Sequence, residues 1–537
     1  MKKKVYKRFW IFLLLVSLLL TGCSHSTDST IKKQNIEKEK TESDHNCRTY
    51  YEVFVYSFCD SNGDGIGDIP GLISKLNYIE ELGFNGIWLM PIMPSTTYHK
   101  YDVIDYYTID EQYGTLEDFK TLLAECKKRD IRVIMDMVFN HTSTKNVWFT
   151  QAAEYLKTLD EKKEPDLKEC PYVDYYHFKK EAANQAGYYK IEGTPWYYEG
   201  VFWDQMPDLN LDSKALRKDL EKITSFWMNL GVEGFRLDAA KEYFTGNKDK
   251  NIEVLSWYEK YVKSVNPEAY LVAEVWDSFQ VIGSYYKSGI DSIFNYTFGN
   301  NDGLIVKTLN RAGDGKGANK YAQNLVIVTD YYKKNQPNMI DAPFLSNHDT
   351  GRVSGFVGRD SNKVKLAGAM NLFMSGSAFV YYGEELGMSG SGKDENKRAP
   401  MYWNTEGSKG TTVPPPDMDV VEHSFGSLKE QEKDKNSIYQ YYKKAIHLRR
   451  KYPEISGGNT SLMEEIKDGD ICAIEKTYGE EKIFLLFNIS QQEKEIVVSK
   501  KSYPYRKMMD YLTVNEEKPR KKGERITLPP FGIVILK

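Results

Sequence analysis

Apolar residues in this chain gather in short unbroken runs, and longer stretches with a helical period separate them. YYEVFVYSF (50–58), GIWLM (86–90), IRVIMDMVF (131–139), GFRLDA (234–239), AYLVAEV (269–275), GIDSIFNY (289–296), IDAPFLS (340–346) and SAFVYYG (377–383) read as eight strands, most of them apolar on both faces. Between the first two, GLISKLNYIEELG (71–83) sets Leu72, Ile73, Leu76, Ile79 and Leu82 on one helical stripe. TLEDFKTLLAECKKR (115–129) opens with Thr115 and Asp118 in capping-box spacing and continues as a helix. Strands buried on both faces and alternating with helices call for a parallel sheet. Eight such units predict a closed (β/α)8 TIM barrel in preference to an open doubly wound sheet. The connection after the third strand, 142–233, is 92 residues long, far beyond a usual βα loop, so an inserted subdomain is expected there. From 456 onward DICAIEKTY, KIFLLFN, EKEIVVS and GIVILK alternate with charged turns. They predict a C-terminal antiparallel β-sandwich over 456–537, which leaves 47–141 and 234–455 to the barrel.

The N-terminus follows another pattern. MKKKVYKR is basic, WIFLLLVSLLL is too short to span a bilayer comfortably, and LTGC follows at 20–23. The three parts read as a signal peptide over 1–22, and LTGC resembles the lipobox of bacterial lipoproteins, which implies lipid modification of Cys23. Residues 24–46 carry two isoleucines and no aromatic residue, too little to build a core, so 23–46 reads as a lipid-anchored polar tether. The expected location is the extracellular face of a bacterial cell membrane, reached through the lipid alone.

Composition narrows the function further. Lys and Arg number 72 against 76 Asp and Glu, a net charge of -4, and no dense basic stripe interleaves with aromatics. Nucleic acid is excluded as a partner on that ground. Six cysteines lie scattered without CxxC spacing, which indicates neither a disulfide framework nor a zinc site. Nothing in the pattern points to a particular oligomeric state.

Chemistry is therefore left to oxygen and nitrogen groups, and these collect where barrel strands end. The third strand runs into Asn140 and His141, the fourth carries Arg236 and Asp238, the fifth ends at Glu274, and the seventh ends in His348 and Asp349. An arginine and an aspartate two apart in an otherwise apolar strand need partners or a task. Glycoside hydrolysis needs a carboxylate and a carboxylic acid flanking one bond, about 5 Å apart when the configuration is retained. Asp238 and Glu274, on neighbouring strands, can supply that pair.

The motifs DMVFNH (136–141), MPDLN (206–210), GFRLDAAK (234–241), AEVW (273–276), FLSNHD (344–349) and YYGEELGM (381–388) occur in the order of the α-amylase family of glycoside hydrolases, family 13, which this chain resembles over about 50–403. The MPDLN form is similar to a subfamily intermediate between oligo-1,6-glucosidases and neopullulanases. The resemblance implies that Asp238 is the nucleophile of a covalent intermediate, Glu274 the general acid and base, and Asp349 the acid that binds sugar hydroxyls. It implies further that His141 and His348 donate hydrogen bonds to the reacting sugar, Tyr101 stacks on it, and Lys241 faces the leaving side. Arg236, two residues before Asp238 on the same strand face, would hold the nucleophile ionised.

DSNGDGIGD (60–68) sets side-chain oxygens at alternate positions with glycines for a tight turn, and begins like an EF-hand loop. Gly71 stands where an EF-hand would place its final glutamate, so a calcium site of another kind is expected: Asp60, Asn62, Asp64, Asp68 and the Ile66 carbonyl, in line with the family resemblance. Two departures bear on specificity. Glu242 replaces a family histidine, which puts a second calcium site at Asn140 and Asp208 in question. Tyr98 stands where α-glucosidases carry an acid paired with an arginine resembling Arg398, so the clamp for terminal glucose is incomplete. The expected activity is retaining hydrolysis of α-1,4 bonds in starch and malto-oligosaccharides. A 4-α-glucanotransferase, an α-glucosidase or a non-catalytic sugar-binding relative on the same scaffold are the alternatives. GMSGSGK (387–393) mimics a phosphate loop, but Asp394 follows in place of Ser or Thr and the mimicry is discarded.

Overall fold

The computed structural model describes residues 47–537 apart from 161, 184 and 405–408; the expected signal peptide, Cys23 and the whole of the tether lie outside the described residues. Seven parallel strands form one curled sheet in the order Ala378–Tyr381, Thr49–Val53, Gly86–Leu89, Arg132–Met137, Gly234–Leu237, Tyr270–Ala273 and Ser292–Ile293. The expected seventh barrel strand, IDAPFLS, closes the circle without becoming a regular strand. The Ala342 carbonyl accepts from Asn295 N–H on one side (3.0 Å), and the Asp341 and Pro343 carbonyls accept from Ser377 and Phe379 N–H on the other (both 2.8 Å). Ile340 N–H donates to the Asp291 carbonyl (2.8 Å), but Pro343 has no N–H to return, which leaves a gap in the ladder. The fold is the (β/α)8 barrel.

Inside the barrel, aromatic rings interlock below and charged groups sit above. Tyr50 stacks on Phe379 at 4.9 Å, Phe379 meets Phe294 at 4.9 Å, and Trp88 packs on Phe294 at 5.2 Å. Strand alternation carries the inward face upward from Tyr50 to Glu52 and from Gly234 to Arg236. Gly234 is required by close approach, because a Cβ there would lie 2.0 Å from the Tyr270 carbonyl oxygen. The first expected helix divides in two, Ile69–Ser74 and Leu76–Leu82, at Lys75. Leu72, Leu76, Ile79 and Leu82 are buried on both sides of the break, while Ile73 is only half-buried. Helix Leu116–Lys128 opens with the expected capping box, in which Thr115 and Asp118 satisfy each other's backbone N–H.

The long connection after the third strand carries helix Val147–Lys157 and a small antiparallel sheet, Phe178–Lys179, Tyr197–Glu199 and Tyr188–Lys190. A bridge between His141 and Asp208 fastens it to the barrel rim, and one between Tyr176 and Leu209 ties its own two ends together. Helix Lys214–Leu230 then returns along the barrel, with Trp227 buried and its indole N–H donating to the Tyr106 carbonyl (2.8 Å). At the C-terminus a five-stranded and a three-stranded antiparallel sheet enclose their own core, which includes Phe484, Leu486, Ile496, Ile526 and Val534. Among the described residues no helix is long and apolar enough to cross a membrane.

Candidate active site

Arg236 is buried at the rim, 1% exposed, and three carboxylates surround it. Its Nη1 lies 2.8 Å from Asp136 and 2.6 Å from Asp238, and its Nη2 lies 2.7 Å from Glu274. Registry explains the meeting: Asp136 is paired with Arg236 across the third and fourth strands, and Asp238 and Glu274 each stand one residue past a strand end. A guanidinium is always charged and planar, so it can hold several carboxylates at once. One positive charge cannot compensate three negative ones out of water. Burial accordingly pushes Asp136 up to about 7, against the pull of Arg236. Asp238 and Glu274 are raised by burial as well; Arg236 opposes this, and the neighbouring Asp349 charge adds to it for both.

The backbone takes part. Ala239 follows Asp238 with φ at +45°, a left-handed conformation that a non-glycine residue adopts at a cost of roughly 1 kcal/mol or more. The N–H thereby presented donates to Glu274 Oε2 at 2.9 Å. Tyr296 donates to the other oxygen at 3.4 Å.

A second group centres on His348, which is fully buried. Its Nδ1 lies 2.7 Å from Glu52 Oε1, and its Nε2 lies 2.9 Å from Asp349 Oδ2 and 2.6 Å from the Tyr101 hydroxyl. Burial works against its charge, but Asp349 and Glu52 outweigh it and raise the imidazole to about 9. Both ring nitrogens therefore carry protons at neutral pH. Asp349 shows the converse: desolvation opposes its charge, and His348 and Arg398 overcome it, holding the carboxyl well below the usual range. Arg398 reaches Asp349 Oδ1 at 3.0 Å and the Tyr98 hydroxyl at 3.0 Å. Tyr101 donates to Asp136 at 3.0 Å and stacks on His348 with centroids 5.4 Å apart.

Above these groups opens a cavity of about 540 Å³, lined by Asp238, Glu274, Asp349, Tyr101, His141 and Lys241, with Phe202, Trp276 and Asp394 at its edge. This volume suits a small saccharide. Arg236 and His348 lie beneath the floor and reach the cavity through the acids they hold. His141 is buried and lowered to about 4, so it is neutral. Its Nδ1 takes the Asn140 amide (3.3 Å), which leaves the proton on Nε2, and that N–H has no protein partner. Lys241 is tethered to Asp277 (3.0 Å) and to the Trp276 carbonyl (3.3 Å). Trp276 is exposed and stacks on Tyr296 at 5.0 Å.

The loop 60–68 stands apart from this cavity. Asp60 accepts from Asn62, Gly63 and Gly65 N–H (3.0, 2.6 and 2.8 Å), Asn62 Oδ1 from Asp64 N–H (2.8 Å), and Asp64 from Ile66 N–H (2.7 Å). Asp68 caps the following helix through Gly71 N–H (2.6 Å). A Cβ at Gly71 would lie 2.0 Å from the Cys59 carbonyl oxygen, which is why no glutamate can stand there. Among the described residues no group of three or more His, Cys, Asp or Glu is arranged to hold a metal. Asn140 donates to Asp208 at 3.2 Å, and burial pushes Asp208 up to about 7 beside Glu199 and Glu242.

Sequence reasoning missed Glu52 and Asp136, although both carry the signal that singled out Arg236, a charge at an inward position of an apolar strand. It also missed the Ala239 backbone and the rim position Trp276.

The catalytic-domain profile of the alpha-amylase family matches residues 52–458. The chain belongs to the alpha-amylase family. It is similar to alpha-amylase 3 of Dictyoglomus thermophilum, 38% identical over 491 residues, covering 91% of this chain and 92% of that protein. Among solved structures it resembles Eubacterium rectale Amy13B, with 47% identity, a TM-score of 0.89, and coverage of 92% and 95%. An oligo-1,6-glucosidase of Bacillus cereus is 28% identical over 91% of this chain and 98% of that enzyme. Membership of the alpha-amylase family makes the chain a glycoside hydrolase.

The His348 cluster predicts a pH dependence. A group whose pKa is about 9 in the folded state and about 6.5 in the unfolded chain contributes stability that is complete below about 6.5 and lost as pH rises through about 9. Urea unfolding should show a fall on the order of 3 kcal/mol between pH 6.5 and 9.5 in the native protein. The fall should shrink sharply in His348→Gln. Equal slopes in the two proteins would refute the assignment.

Proposed function

We propose that this hydrolase cleaves α-1,4-glucosidic bonds of starch and malto-oligosaccharides with retention of configuration. The observation that carries the reading is that one buried guanidinium grips both Asp238 and Glu274 beside a sugar-sized cavity, while His348 and Arg398 keep Asp349 ionised at the same cavity. Carboxylates on one guanidinium are close neighbours, the geometry of a retaining pair. The name of the alpha-amylase relative supports α-1,4 chains as substrate.

In the first step Asp238 attacks the anomeric carbon as Glu274 gives its proton to the departing glycosidic oxygen. The new ester removes the Asp238 charge, one of the groups that raises Glu274. With that charge gone the Glu274 pKa falls, so its carboxylate stays ionised until it takes a proton from the attacking water, and that water releases the sugar and restores both groups. Asp349, fixed as an anion, accepts hydroxyls of the reacting glucose, and the free Nε2–H of His141 donates to it. Transfer to a second sugar is the alternative outcome of the same intermediate. The exposed Trp276 ring beside Glu274 favours it by offering an acceptor a face to stack on.

The proposal includes a structural calcium ion at the 60–68 loop and lipid anchoring through Cys23 at the outer face of the cell membrane. Asp60, Asn62, Asp64, Asp68 and the Ile66 carbonyl are all hard oxygen donors, which suits that cation, and Gly63 and Gly65 adopt the left-handed turns such a loop needs (φ +91° and +90°). A bound ion would stabilise the loop without entering the reaction.

Glu274→Gln should lower kcat on maltoheptaose at least about a thousandfold while binding survives. NMR of early products should show the α-anomer; a β-anomer would eliminate the retaining mechanism. Maltotriose yielding longer oligosaccharides would decide for transfer over hydrolysis. Chelation should lower the melting temperature of the native protein and leave Asp64→Ala unmoved, and no response in either would dismiss the calcium site. Fatty-acid labelling in the host should disappear with Cys23→Ser; label that persists would remove the anchor.

A further inference from the structure

Glu52 is buried on the first barrel strand, on the same inward face as Tyr50, and does not line the cavity. Its neighbours in register on the adjoining strands are Trp88 and Tyr381, both uncharged. The polar group it meets is the ring of His348, whose Nδ1–H donates to Glu52 Oε1 at 2.7 Å. On the opposite side of that ring Nε2 faces Asp349 Oδ2 at 2.9 Å and the Tyr101 hydroxyl at 2.6 Å. Trp88 closes against the imidazole with centroids 5.7 Å apart, and the His348 carbonyl accepts from Arg398 at 3.2 Å. The ring is held from every side.

This placement dictates where the protons sit. A carboxylate can only accept, so an imidazole set between two carboxylates needs a proton on each nitrogen; a bare nitrogen would set lone pair against lone pair. Glu52 claims the proton on Nδ1, which leaves the Nε2 proton for the cavity side. Tyr101 supplies no donor to that nitrogen, because its own proton goes to Asp136 at 3.0 Å. Charges on the other strands reinforce the arrangement: Arg236 attracts Glu52 and Asp349, and Asp136 and Asp238 attract the imidazolium. Without the Glu52 charge, Asp349 would keep Arg398 as its firm cation and would hold His348 through a weaker bond once that ring became neutral.

We infer that Glu52, which touches no sugar, is a positioning residue of the hydrolysis: by fixing a proton on both nitrogens of His348 it gives Asp349 a charged donor throughout the neutral pH range. This rests on the role given to Asp349 at the reacting glucose above. The effect belongs to the reaction step, because the hold on Asp349 matters most where positive charge develops on the sugar ring.

Glu52→Gln tests this in the full-length protein. The amide keeps the size of the side chain and can donate to a bare Nδ1, so the ring stays in place while the demand for its second proton is gone. In spectra of the protein labelled with 15N-histidine, the signal that His348→Gln removes should show both protons from about pH 6 to about 8 in the native protein and should titrate inside that window in Glu52→Gln. On maltoheptaose the variant's kcat should lie within about threefold of native near pH 5.5 and about tenfold below it near pH 8, the difference between a charged and a neutral hydrogen bond, with KM changed less than about threefold. A single factor of loss at both pH values, or a His348 signal that behaves as in the native protein, would make Glu52 a structural residue and overturn the inference. A native protein inactive on maltoheptaose would instead overturn the α-1,4 reading and with it the role of Asp349, while the histidine spectra still judge the hold of Glu52 on His348.

Discussion

A single guanidinium buried among three carboxylates is the constraint around which the rest of this molecule is arranged. Arg236 holds Asp136, Asp238 and Glu274 within hydrogen-bond reach in a place where water reaches only the cavity-facing sides of Asp238 and Glu274. Such a cluster is costly to assemble, and removing one member of a buried ion pair typically costs about 3–5 kcal/mol because its partner is left uncompensated. The aromatic floor of Tyr50, Trp88, Phe294 and Phe379 gives that cluster a stiff base. The bare Cα of Gly234, one turn of the pleat below Arg236, lets the fourth and fifth strands approach closely enough for one guanidinium to serve both.

The excess of negative charge around Arg236 also divides the acids into two kinds. Asp136, Asp238 and Glu274 share one cation and are all pushed upward, so a proton is retained among them near neutral pH. Asp349 has His348 and Arg398 largely to itself and stays ionised. Acid–base chemistry at one sugar needs both kinds side by side, a carboxyl that can give a proton and a carboxylate that never takes one. His348 contributes as a permanent cation below the cavity floor, kept protonated by Glu52 on its far side.

Much of this could be read from residues alone. The barrel strands were legible because most of the runs are apolar on both faces, and the reacting groups were legible because charge at a strand end is costly without use. Where the reading fell short, the cause was physical. Pro343 removes one donor from the middle of the seventh segment, so its pattern promised a regular strand that the backbone does not complete. Lys75 interrupts a stripe whose apolar spacing alone predicts one helix. Ala239 gives no sign of its left-handed backbone, since alanine carries no turn preference and tertiary contacts impose the conformation. Glu52 and Asp136 were visible by the same rule as Arg236, but Glu52 stands alone in its strand and Asp136 lies four residues from Arg132, without the close second charge that made Arg236 and Asp238 conspicuous.

Position 98 shows how a neutral neighbour can secure a charge. Arg398 has one direct carboxylate partner at full strength, Asp349 at 3.0 Å, because a phenol and not an acid occupies its other side. An aspartate there would compete for the guanidinium and place a second negative charge beside Asp349, and like charges in a buried site drive one of them toward protonation. The neutral Tyr98 leaves the field of Arg398 on Asp349, so the anion at the cavity depends on a side chain that does not touch it. An acid at position 98 would therefore change the ionisation of Asp349 without replacing any of its own partners.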